Sequence, residues 1–307
     1  MSSIAVIIVT YNAIPWAERS LLPLKATPKI HKVYIIDNGS TDGTQDFIHL
    51  NCPEFIFVQS DTNLGFGKAN NLGFNLALKD GCTHFLLLNQ DAHISWDSIR
   101  QLVEIQKRNI NYGILSPIHL YDHANVDRKH LKSMMKKGDE FFNDLIINKE
   151  LKEIYEIGYT NAAIWLISKD CLRKAGGFEP LFPHYGEDSE YAKRVNYFGF
   201  KVGVCPNIKG YHYRIQKNKV DQKKPVTYHF NSFLIQAKNL DSNLVTVYLK
   251  IFKQLITSTL GRIIGIKGLA CKASWLAYWN LIIARKNILQ HRQLTIDRDY
   301  SFLKYEE

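Results

Sequence analysis

LLLNQDAH, the stretch from Leu86 to His93, places an aspartate almost directly after a run of apolar residues. With Phe85 before them, the three leucines lack the alternation of a half-exposed strand, which is typical of a strand covered on both faces. Such strands belong to parallel sheets with helices on both sides. We therefore predict a central strand at Thr83–Leu88 whose carboxyl end presents an Asn-Gln-Asp triplet.

The first half of the chain alternates short apolar runs with segments of helical periodicity. This rhythm predicts a parallel sheet flanked by helices. The predicted strands are Ile4–Val9, Lys32–Ile36, Glu54–Gln59 and Thr83–Leu88, and the predicted helices are Pro15–Leu24, Gly43–Leu50 and Phe66–Lys79. Because ligands of such sheets bind beyond the carboxyl ends of the strands, the loops after the four strands should converge on one crevice.

The second half is less regular. The middle stretch, His119–Glu150, is polar and charged, and we predict an irregular insertion or a mobile flap there. Further strands are predicted at Tyr159–Ile167 and Lys201–Cys205, further helices at Trp96–Lys107 and Asp188–Phe198, and mostly helix beyond Pro225. The pattern divides the chain into an α/β domain, residues 1–224, with a mostly parallel central sheet, and a helical region, residues 225–307.

The charge is concentrated in the last third of the chain. From Lys209 onward there are 17 Lys and Arg against 6 Asp and Glu, a net of +11, whereas the rest of the 307 residues carries −1. An anionic lipid surface, a phosphate-bearing acceptor or nucleic acid would suit such a region, and so would a merely solvated basic face.

Cysteine usage and the amino terminus predict a cytoplasmic protein. Cys52, Cys82, Cys171, Cys205 and Cys271 are scattered without a CxxC pair, so neither a disulfide framework nor a structural zinc site is predicted. The first residues, MSSIAVIIVTYN, lack a basic leader and a cleavage site and predict a strand. No stretch reaches the roughly 18 to 20 apolar residues of a membrane span.

The loops after the four strands are polar. They are Thr10-Tyr11-Asn12, the DNGSTDGT stretch from Asp37 to Thr44, Asn63-Leu64-Gly65-Phe66-Gly67, and Asn89-Gln90-Asp91. Asp37 can accept hydrogen bonds from a pyrimidine N–H or a ribose, and the glycines let the backbone approach a ligand. Alternatively, DNGSTDGT is a turn in which Ser40 or Asp42 caps a helix.

Classical nucleotide motifs are weak in this sequence. Gly65-Phe66-Gly67-Lys68-Ala69-Asn70 has Asn70 in place of the third glycine of a dinucleotide fingerprint and follows the third strand, not the first. A GxxxxGK[ST] loop is absent from the sequence.

Taken together and in this order, the four strand-end motifs resemble those of the family 2 glycosyltransferases with the GT-A fold, a Rossmann-like α/β fold. The NLGFGKANN stretch is most similar to the bacterial rhamnosyltransferase and galactofuranosyltransferase branch. The resemblance covers roughly residues 4–215. It implies a sugar-nucleotide donor, bound by Thr10, Tyr11, Asn12, Asp37, Asn38, Asn63, Gly65, Asn70 and Asn89.

The resemblance also implies a divalent metal, Mn²⁺ or Mg²⁺, that bridges the donor diphosphate. Asp91 stands where the family has the last acid of its Asp-x-Asp motif, and Asn89 replaces the first acid. His212, in Tyr211-His212-Tyr213-Arg214, matches a metal-binding histidine of the family, and Arg214 or Lys217 would neutralise the leaving diphosphate. One imidazole, one carboxylate and phosphate oxygens suit Mn²⁺ or Mg²⁺. The alternatives are an N-cap for Asp91 and an ordinary surface histidine for His212.

Glu187 and Asp188 are adjacent carboxylates in GGFEPLFPHYGEDSEYAKR, the stretch from Gly176 to Arg194. By resemblance to the family, Asp188 deprotonates the acceptor hydroxyl and Glu187 binds the acceptor. Asn161, among small residues before a strand, would also contact a sugar, or would mark an edge of the core. Alternatively, the two acids favour a helix dipole and Glu190 pairs with Arg194.

These features predict an inverting, metal-dependent glycosyltransferase acting on a cell-surface polysaccharide or lipid-linked glycan, from dTDP-rhamnose or a UDP-hexose. No nucleic-acid partner is expected. The helical region would contact the acceptor, the inner face of the cytoplasmic membrane or a second copy in a homodimer. The rival classes are a sugar-1-phosphate nucleotidyltransferase, although its glycine-rich basic loop is absent from the sequence, and a non-catalytic glycan- or nucleic-acid-binding protein.

Overall fold

The computed structural model describes residues 3–26, 28, 31–122, 125–135, 137–182, 184–213, 225–263, 272–299 and 303. These residues form one mixed sheet with helices packed on it and a group of helices at the carboxyl end. The strands are β1 (Ile4–Thr10), β2 (Lys32–Asp37), β3 (Ile56–Gln59), β4 (His84–Asn89), β5 (Ala92–His93), β6 (Tyr112–Leu120), β7 (Tyr155–Ile157), β8 (Ile164–Ser168) and β9 (Lys201–His212).

The strand order is β3-β2-β1-β4-β8-β6-β9-β5, and β7 pairs with β9. Neighbours among β3, β2, β1 and β4 are parallel, and so are β6 and β9, whereas β8, β5 and β7 run against their neighbours. The mostly parallel sheet is confirmed, and the first four predicted strands lie side by side with their carboxyl ends at one edge.

The central strand is covered on both faces, as its apolar run predicts. Phe85 and Leu87 belong to one apolar cluster and Leu86 and Leu88 to another, and all four are buried. Strand β1 alternates between the same two clusters. Because both faces are packed, polar residues can be placed only where these strands end, at the sheet edge.

The helices on the sheet follow most of the predicted segments. They are α1 (Ile14–Leu21), α2 (Thr44–Asn51), α3 (Gly65–Lys79), α4 (Trp96–Arg108), α5 (Arg128–Met134), α6 (Asp139–Ile146), α7 (Lys169–Ala175) and α8 (Glu187–Tyr197). The predicted helix Pro15–Leu24 is shorter and continues as a 3₁₀ turn from Leu22 to Ala26.

The prediction of an irregular insertion at His119–Glu150 was wrong. Strand β6 continues to Leu120, and α5 and α6 follow it. Met134 and Phe141 are buried in the first apolar cluster. Most charged side chains of the segment lie on the exposed sides of these helices, and the few buried ones are paired. Asp127 accepts from the backbone N–H of Lys129, and Asp144 accepts from the Tyr155 hydroxyl at 2.9 Å.

The carboxyl-terminal region is helical, as predicted, with α9 (Pro225–Ala237), α10 (Leu244–Ile263), α11 (Lys272–Ile283) and α12 (Arg285–Asp297). These helices share a third apolar cluster that includes Phe182. Glu179 Oε2 forms a buried ion pair with Lys238 Nζ at 2.7 Å, and Glu179 Oε1 lies 2.7 Å from His291 Nδ1. The helices are therefore anchored to the loop that precedes the acid pair.

Burial alone would raise the pKa of Glu179. The hydrogen bond from His291 and the positive charge of Lys238 outweigh burial and lower this pKa to about 2. Glu179 is therefore held as a carboxylate inside the protein. Among the described residues, none of the helices has the length and apolar character needed to cross a bilayer.

The described cysteines are buried free thiols, consistent with the prediction of no disulfide framework, and Cys271 lies outside the described residues.

Candidate active site

Strand pairing brings Asp91 and His212 together. Asp91 immediately precedes β5, whose Ala92 pairs with His212 on β9, and the backbone N–H of Tyr213 donates to the carbonyl of Asp91 at 2.7 Å. The His212 Nε2 atom then lies 3.4 Å from Asp91 Oδ1. β9 extends beyond the predicted Lys201–Cys205 to include His212, and this extension makes the contact.

Neither alternative interpretation of these two residues holds. Ser95, not Asp91, is the N-cap of α4, because β5 intervenes between Asp91 and the helix. His212 is not a surface histidine, since only 3% of it is exposed.

A second carboxylate orients His212, and sequence reasoning missed it. Asp127, at the start of α5, lies 3.1 Å from His212 Nδ1 and is also buried. A carboxylate on one ring nitrogen fixes the proton there and presents the other nitrogen as a ligand, an arrangement typical of metal-binding histidines. Asp127 thus orients Nε2 towards Asp91.

The donor set fits a divalent cation. Adjacent ligands of an octahedral ion lie roughly 3 Å apart when each bond is about 2.1 Å, so the separation of Asp91 Oδ1 and His212 Nε2 needs only a small contraction. His119, Asp127 and His212 also form a buried group whose ligand atoms lie within 4.8 Å of one another. Because Asp127 already bonds His212 Nδ1, we assign it to orientation of the histidine.

The side chain of Asp37 ties the ends of β1 and β2 together. Its carboxylate accepts from Thr10 Oγ1 at 2.7 Å, from the Ser40 backbone and hydroxyl at 2.9 and 2.5 Å, and from Gln45 Nε2 at 3.2 Å. Thr10 and Asp37 are fully buried. The DNGSTDGT stretch forms a turn, as the alternative interpretation proposed, and Asp42 accepts from the backbone N–H of Thr44. The N-cap of α2 is Gly43, however, and not Ser40 or Asp42.

Gln90 joins two of the strand-end loops. It accepts from the Tyr11 N–H at 2.7 Å and donates to the Tyr11 carbonyl at 3.2 Å. Asn12, at a φ of 50°, accepts from the Thr41 N–H at 2.9 Å and donates its own N–H to Ser40 Oγ. These loops are preformed, and Tyr11 remains 49% exposed at the edge.

The third loop starts α3. Asn63 Oδ1 accepts from the Gly65 N–H at 2.9 Å, and Gly65 has a φ of 77°, which favours glycine. Asn38 is nearly buried and bonds this turn, accepting from the Leu64 N–H at 3.3 Å and donating to the Gly65 carbonyl at 3.4 Å.

Asn70 and Asn89 occupy different environments. Asn70 is buried one turn into α3, where its amide donates to the Phe66 carbonyl at 2.9 Å. Asn89 ends β4 and is half-buried, with its backbone N–H bonded to Ala163. Asn89 therefore lies at the edge that carries Asp91, whereas Asn70 supports the helix from inside.

The acid pair begins α8. Gly186 precedes it at a φ of 100°, and Glu187 is buried while Asp188 is half-buried. Asp188 Oδ2 accepts a 2.6 Å hydrogen bond from the Tyr159 hydroxyl. The predicted pair of Glu190 and Arg194 also exists, as a buried bidentate interaction with two 2.8 Å contacts. The ion pair within α8 is therefore formed by Glu190, and neither Glu187 nor Asp188 takes part in it.

Burial raises the pKa of both acids. Loss of solvation and then the charge of Asp188 raise the pKa of Glu187 to about 7. Burial also raises the pKa of Asp188, although the hydrogen bond from Tyr159 opposes this effect. Carboxyls with raised pKa values in a site are suited to proton transfer near neutral pH.

Two buried acceptor atoms near Asp188 lack a hydrogen-bond partner among the described residues. They are Glu187 Oε2 and Asn161 Oδ1. Buried acceptors of this kind usually have a donor, which a sugar hydroxyl can supply.

A continuous series of contacts joins the strand ends to the acid pair. A Cβ on Gly67, in the first turn of α3, would lie 3.8 Å from the Glu187 side chain. Beyond Tyr159, the Thr160 hydroxyl bonds His130 Nδ1 at 2.8 Å, and His130 stacks on His119, which faces the His212 ring edge-on. The structure brings Asp91 next to His212 and places Asp188 at the hydroxyl of Tyr159. Asn70 lies apart, inside α3, and Arg214 and Lys217 lie outside the described residues.

Solved structures with the same fold are glycosyltransferases. The S. aureus TarS 1-349 complex with UDP-GlcNAc gives a TM-score of 0.59 at 15% identity, covering 99% of this chain and 89% of that one. The mannosyltransferase PcManGT from Pyrobaculum calidifontis, in complex with GDP-Man and Mn²⁺, gives 0.56 at 15% identity, covering 99% and 88%. The chain therefore has the GT-A fold of glycosyltransferases.

Residues 5–175 match the family described as Glycosyl transferase family 2, and the chain belongs to that family. A curated relative is N-acetylglucosaminyl-diphospho-decaprenol L-rhamnosyltransferase of Mycobacterium tuberculosis, 25% identical over 253 residues, which cover 75% of this chain and 82% of the relative. The family membership favours a transferase over the two rival classes.

Proposed function

We propose that this chain is an inverting, metal-dependent glycosyltransferase. The observation that carries the proposal is the pair of Asp91 Oδ1 and His212 Nε2, 3.4 Å apart at the carboxyl edge of the parallel strands. A metal held there by Asp91 and His212, Mn²⁺ or Mg²⁺, would stabilise the negative charge of the departing diphosphate. Because Asn89 replaces an acid, the site has one negative charge fewer and relies on the donor phosphates.

Asp188 is the proposed base. Its carboxylate takes the proton of the acceptor hydroxyl as that oxygen attacks the anomeric carbon from the face opposite the diphosphate, which inverts the configuration. The Tyr159 hydroxyl fixes the orientation of the carboxylate through its 2.6 Å hydrogen bond. Glu187 Oε2 and Asn161 Oδ1 would accept hydrogen bonds from the acceptor sugar, and this contact would satisfy both atoms.

The donor nucleotide would lie across the ends of β1, β2 and β3. Thr10, Tyr11, Asn12, Asp37, Asn38, Asn63 and Gly65 form the preformed loops there, with Asn89 next to the sugar. The contacts of Asn70 support a role in holding α3 rather than in touching the donor. We propose dTDP-rhamnose or a UDP-hexose, since relatives and neighbours transfer rhamnose or bind UDP-GlcNAc.

The proposed acceptor is a hydroxyl of a cell-surface polysaccharide or of a lipid-linked glycan. The mycobacterial relative is named for a diphospho-decaprenol acceptor, which supports the lipid-linked class. Such an acceptor would place the enzyme in the cytoplasm at the inner face of the membrane. A homodimer through the 225–307 region is the alternative use of that region.

Replacement of the base tests the proposal. Sugar transfer to a synthetic N-acetylglucosaminyl-diphospho-polyprenol would be measured with dTDP-rhamnose, UDP-galactose and UDP-galactofuranose as donors. With the donor that wild type uses, Asp188→Asn should lower the transfer rate by at least about 100-fold. Asp97→Asn, on the exposed start of α4, is the matched control. If Asp188→Asn folds and transfers sugar at the wild-type rate, the base assignment is wrong.

A further inference from the structure

Helices α10 and α11 expose two apolar stripes. On α10 the exposed residues recur at spacings of three and four; they are Val245, Leu249, Phe252, Ile256 and Leu260. On α11 they are Leu276, Trp279 and Ile283, with exposed fractions of 51%, 60% and 62%. Such spacing places each set on one side of its helix. We call these eight residues the apolar face.

The two stripes face the same side of the helix pair. Trp275 donates to Thr259 at 3.1 Å, whereas Tyr248 donates to the Leu281 carbonyl at 3.0 Å, so the helices run antiparallel. Phe252 packs against Trp275 along the line of contact. Each residue of a helix is rotated by about 100° about the helix axis from the one before it. Viewed along each helix from its amino terminus, the exposed stripe is rotated away from the contact line in the same direction on α10 and on α11. In an antiparallel pair this displacement places both stripes on one side.

Helices α10 and α11 carry positively charged residues and no acidic residue in their sequences. The sequence from Leu244 to Ile283 contains five Lys and Arg and no Asp or Glu. Lys250 and Lys253 are exposed beside the α10 stripe, Lys272 is exposed one turn before Leu276, and Arg285 and Lys286 follow α11. This charge pattern indicates which kind of partner the apolar face would contact.

Two such faces from two copies would bring the lysines of one copy towards those of the other, and neither helix carries an acidic residue to offset the repulsion. This disfavours a dimer through this surface. An anionic bilayer supplies both hydrocarbon for the apolar side chains and negative headgroups for the lysines. Tryptophan also prefers the boundary between hydrocarbon and water. We propose that the apolar face of α10 and α11 lies on the surface of an anionic lipid bilayer.

Helix α9 connects this face to the loop before the acid pair. Asn231 on α9 donates to the carbonyls of His184 and Tyr185 at 2.6 and 2.7 Å, and a Cβ on Gly186 would lie 3.2 Å from Ile235. α9 shares the third apolar cluster with α10 and α11. Binding to a bilayer would thus bring a lipid-linked acceptor close to Asp188. This last step rests on the proposed function.

Co-sedimentation with vesicles tests the surface directly. Wild-type protein should bind phosphatidylglycerol/phosphatidylcholine vesicles at low salt and bind phosphatidylcholine vesicles weakly. Leu249→Glu combined with Trp279→Glu should reduce binding at least about 10-fold, since charges are placed in the hydrocarbon boundary. Leu50→Glu combined with Ile110→Glu is the matched control, because these side chains are 82% and 74% exposed elsewhere.

A milder variant keeps the test valid if the first one misfolds. Lys250→Gln combined with Lys253→Gln should weaken binding to anionic vesicles by about 5-fold for each lysine, without changing the apolar face. The proposal is overturned if wild-type protein ignores anionic vesicles, or if both variants bind as wild type does. Concentration-dependent dimerisation that the glutamate variant abolishes, without vesicle binding, would likewise overturn it in favour of an interface between copies.

Vesicle binding does not require catalysis, so the two proposals fail separately. Asp188→Asn protein should sediment with anionic vesicles as wild type does. If Asp188→Asn loses sugar transfer but still sediments with vesicles, the result concerns only the assignment of the base. If wild-type protein transfers sugar to a soluble acceptor but does not sediment with vesicles, only the proposed membrane surface is refuted.

Discussion

Glu187→Gln should change how the stability of the protein depends on pH. Burial and the charge of Asp188 raise the pKa of Glu187 from 4.5 to about 7. Because the folded protein holds a proton that the unfolded chain releases, this group stabilises the fold below about pH 4.5, and the contribution is lost as the pH rises through about 7. The difference between the two pKa values corresponds to about 3 kcal/mol of unfolding free energy.

Urea denaturation at about pH 5 and about pH 9 measures most of this loss. Relative to Glu187→Gln, wild-type protein should lose about 2 to 3 kcal/mol between these conditions, because glutamine stays neutral at both. Glu18→Gln, which neutralises an exposed carboxyl on α1, is the matched control. If wild type and Glu187→Gln show parallel pH dependences, Glu187 does not carry a raised pKa and the description of the acid pair is wrong.

Three further predictions concern neighbouring interactions. Asp127→Asn should weaken Mn²⁺-dependent nucleotide binding about 10- to 100-fold, because His212 loses its orienting carboxylate; unchanged affinity in calorimetry would contradict this. Lys238→Met should destabilise the fold by about 3 to 5 kcal/mol in urea denaturation, since Glu179 stays buried without its counter-charge, and adding Glu179→Gln should restore much of the loss. Tyr159→Phe should raise the pKa of Asp188 and move the acidic limb of the pH–rate profile upward; an unmoved limb would show that the hydrogen bond is unimportant.

The sheet could be predicted because its strands are covered on both faces. Burial on two sides requires continuous apolar residues, which is a local signal, and polar residues must then appear where the strands end. That reasoning placed Asp37 and Asp91 at one edge. The bounds were less accurate at β9, where the polar residues of Asn207–Tyr211 do not indicate a strand. Pairing with β6 continues there, and Ile208 packs into the second apolar cluster.

The residues that complete the site depend on long-range contacts. Asp127 is 85 positions from His212, and the polar sequence around it resembles a surface loop. Gln90 belongs to the Asn-Gln-Asp triplet, but its hydrogen bonds to the Tyr11 backbone arise because β1 and β4 are neighbours in the sheet. The spacing of residues in the sequence does not predict them. The buried pair of Glu179 and Lys238 likewise joins distant segments. Charge and hydrogen-bonding capacity are visible in a sequence, whereas their partners are set by the tertiary fold.

Thermal unfolding with nucleotides tests the central claim, the metal and diphosphate site at Asp91 and His212, most directly. UDP, dTDP and GDP would each be added with and without Mn²⁺ to wild type and to Asp91→Asn. A ligand at 100 times its dissociation constant stabilises a protein by about 3 kcal/mol. The account predicts that at least one nucleotide raises the Tm of wild type when Mn²⁺ is present, and that Asp91→Asn loses this increase. Equal responses of the two proteins, or no Mn²⁺-dependent response to any nucleotide, would contradict it.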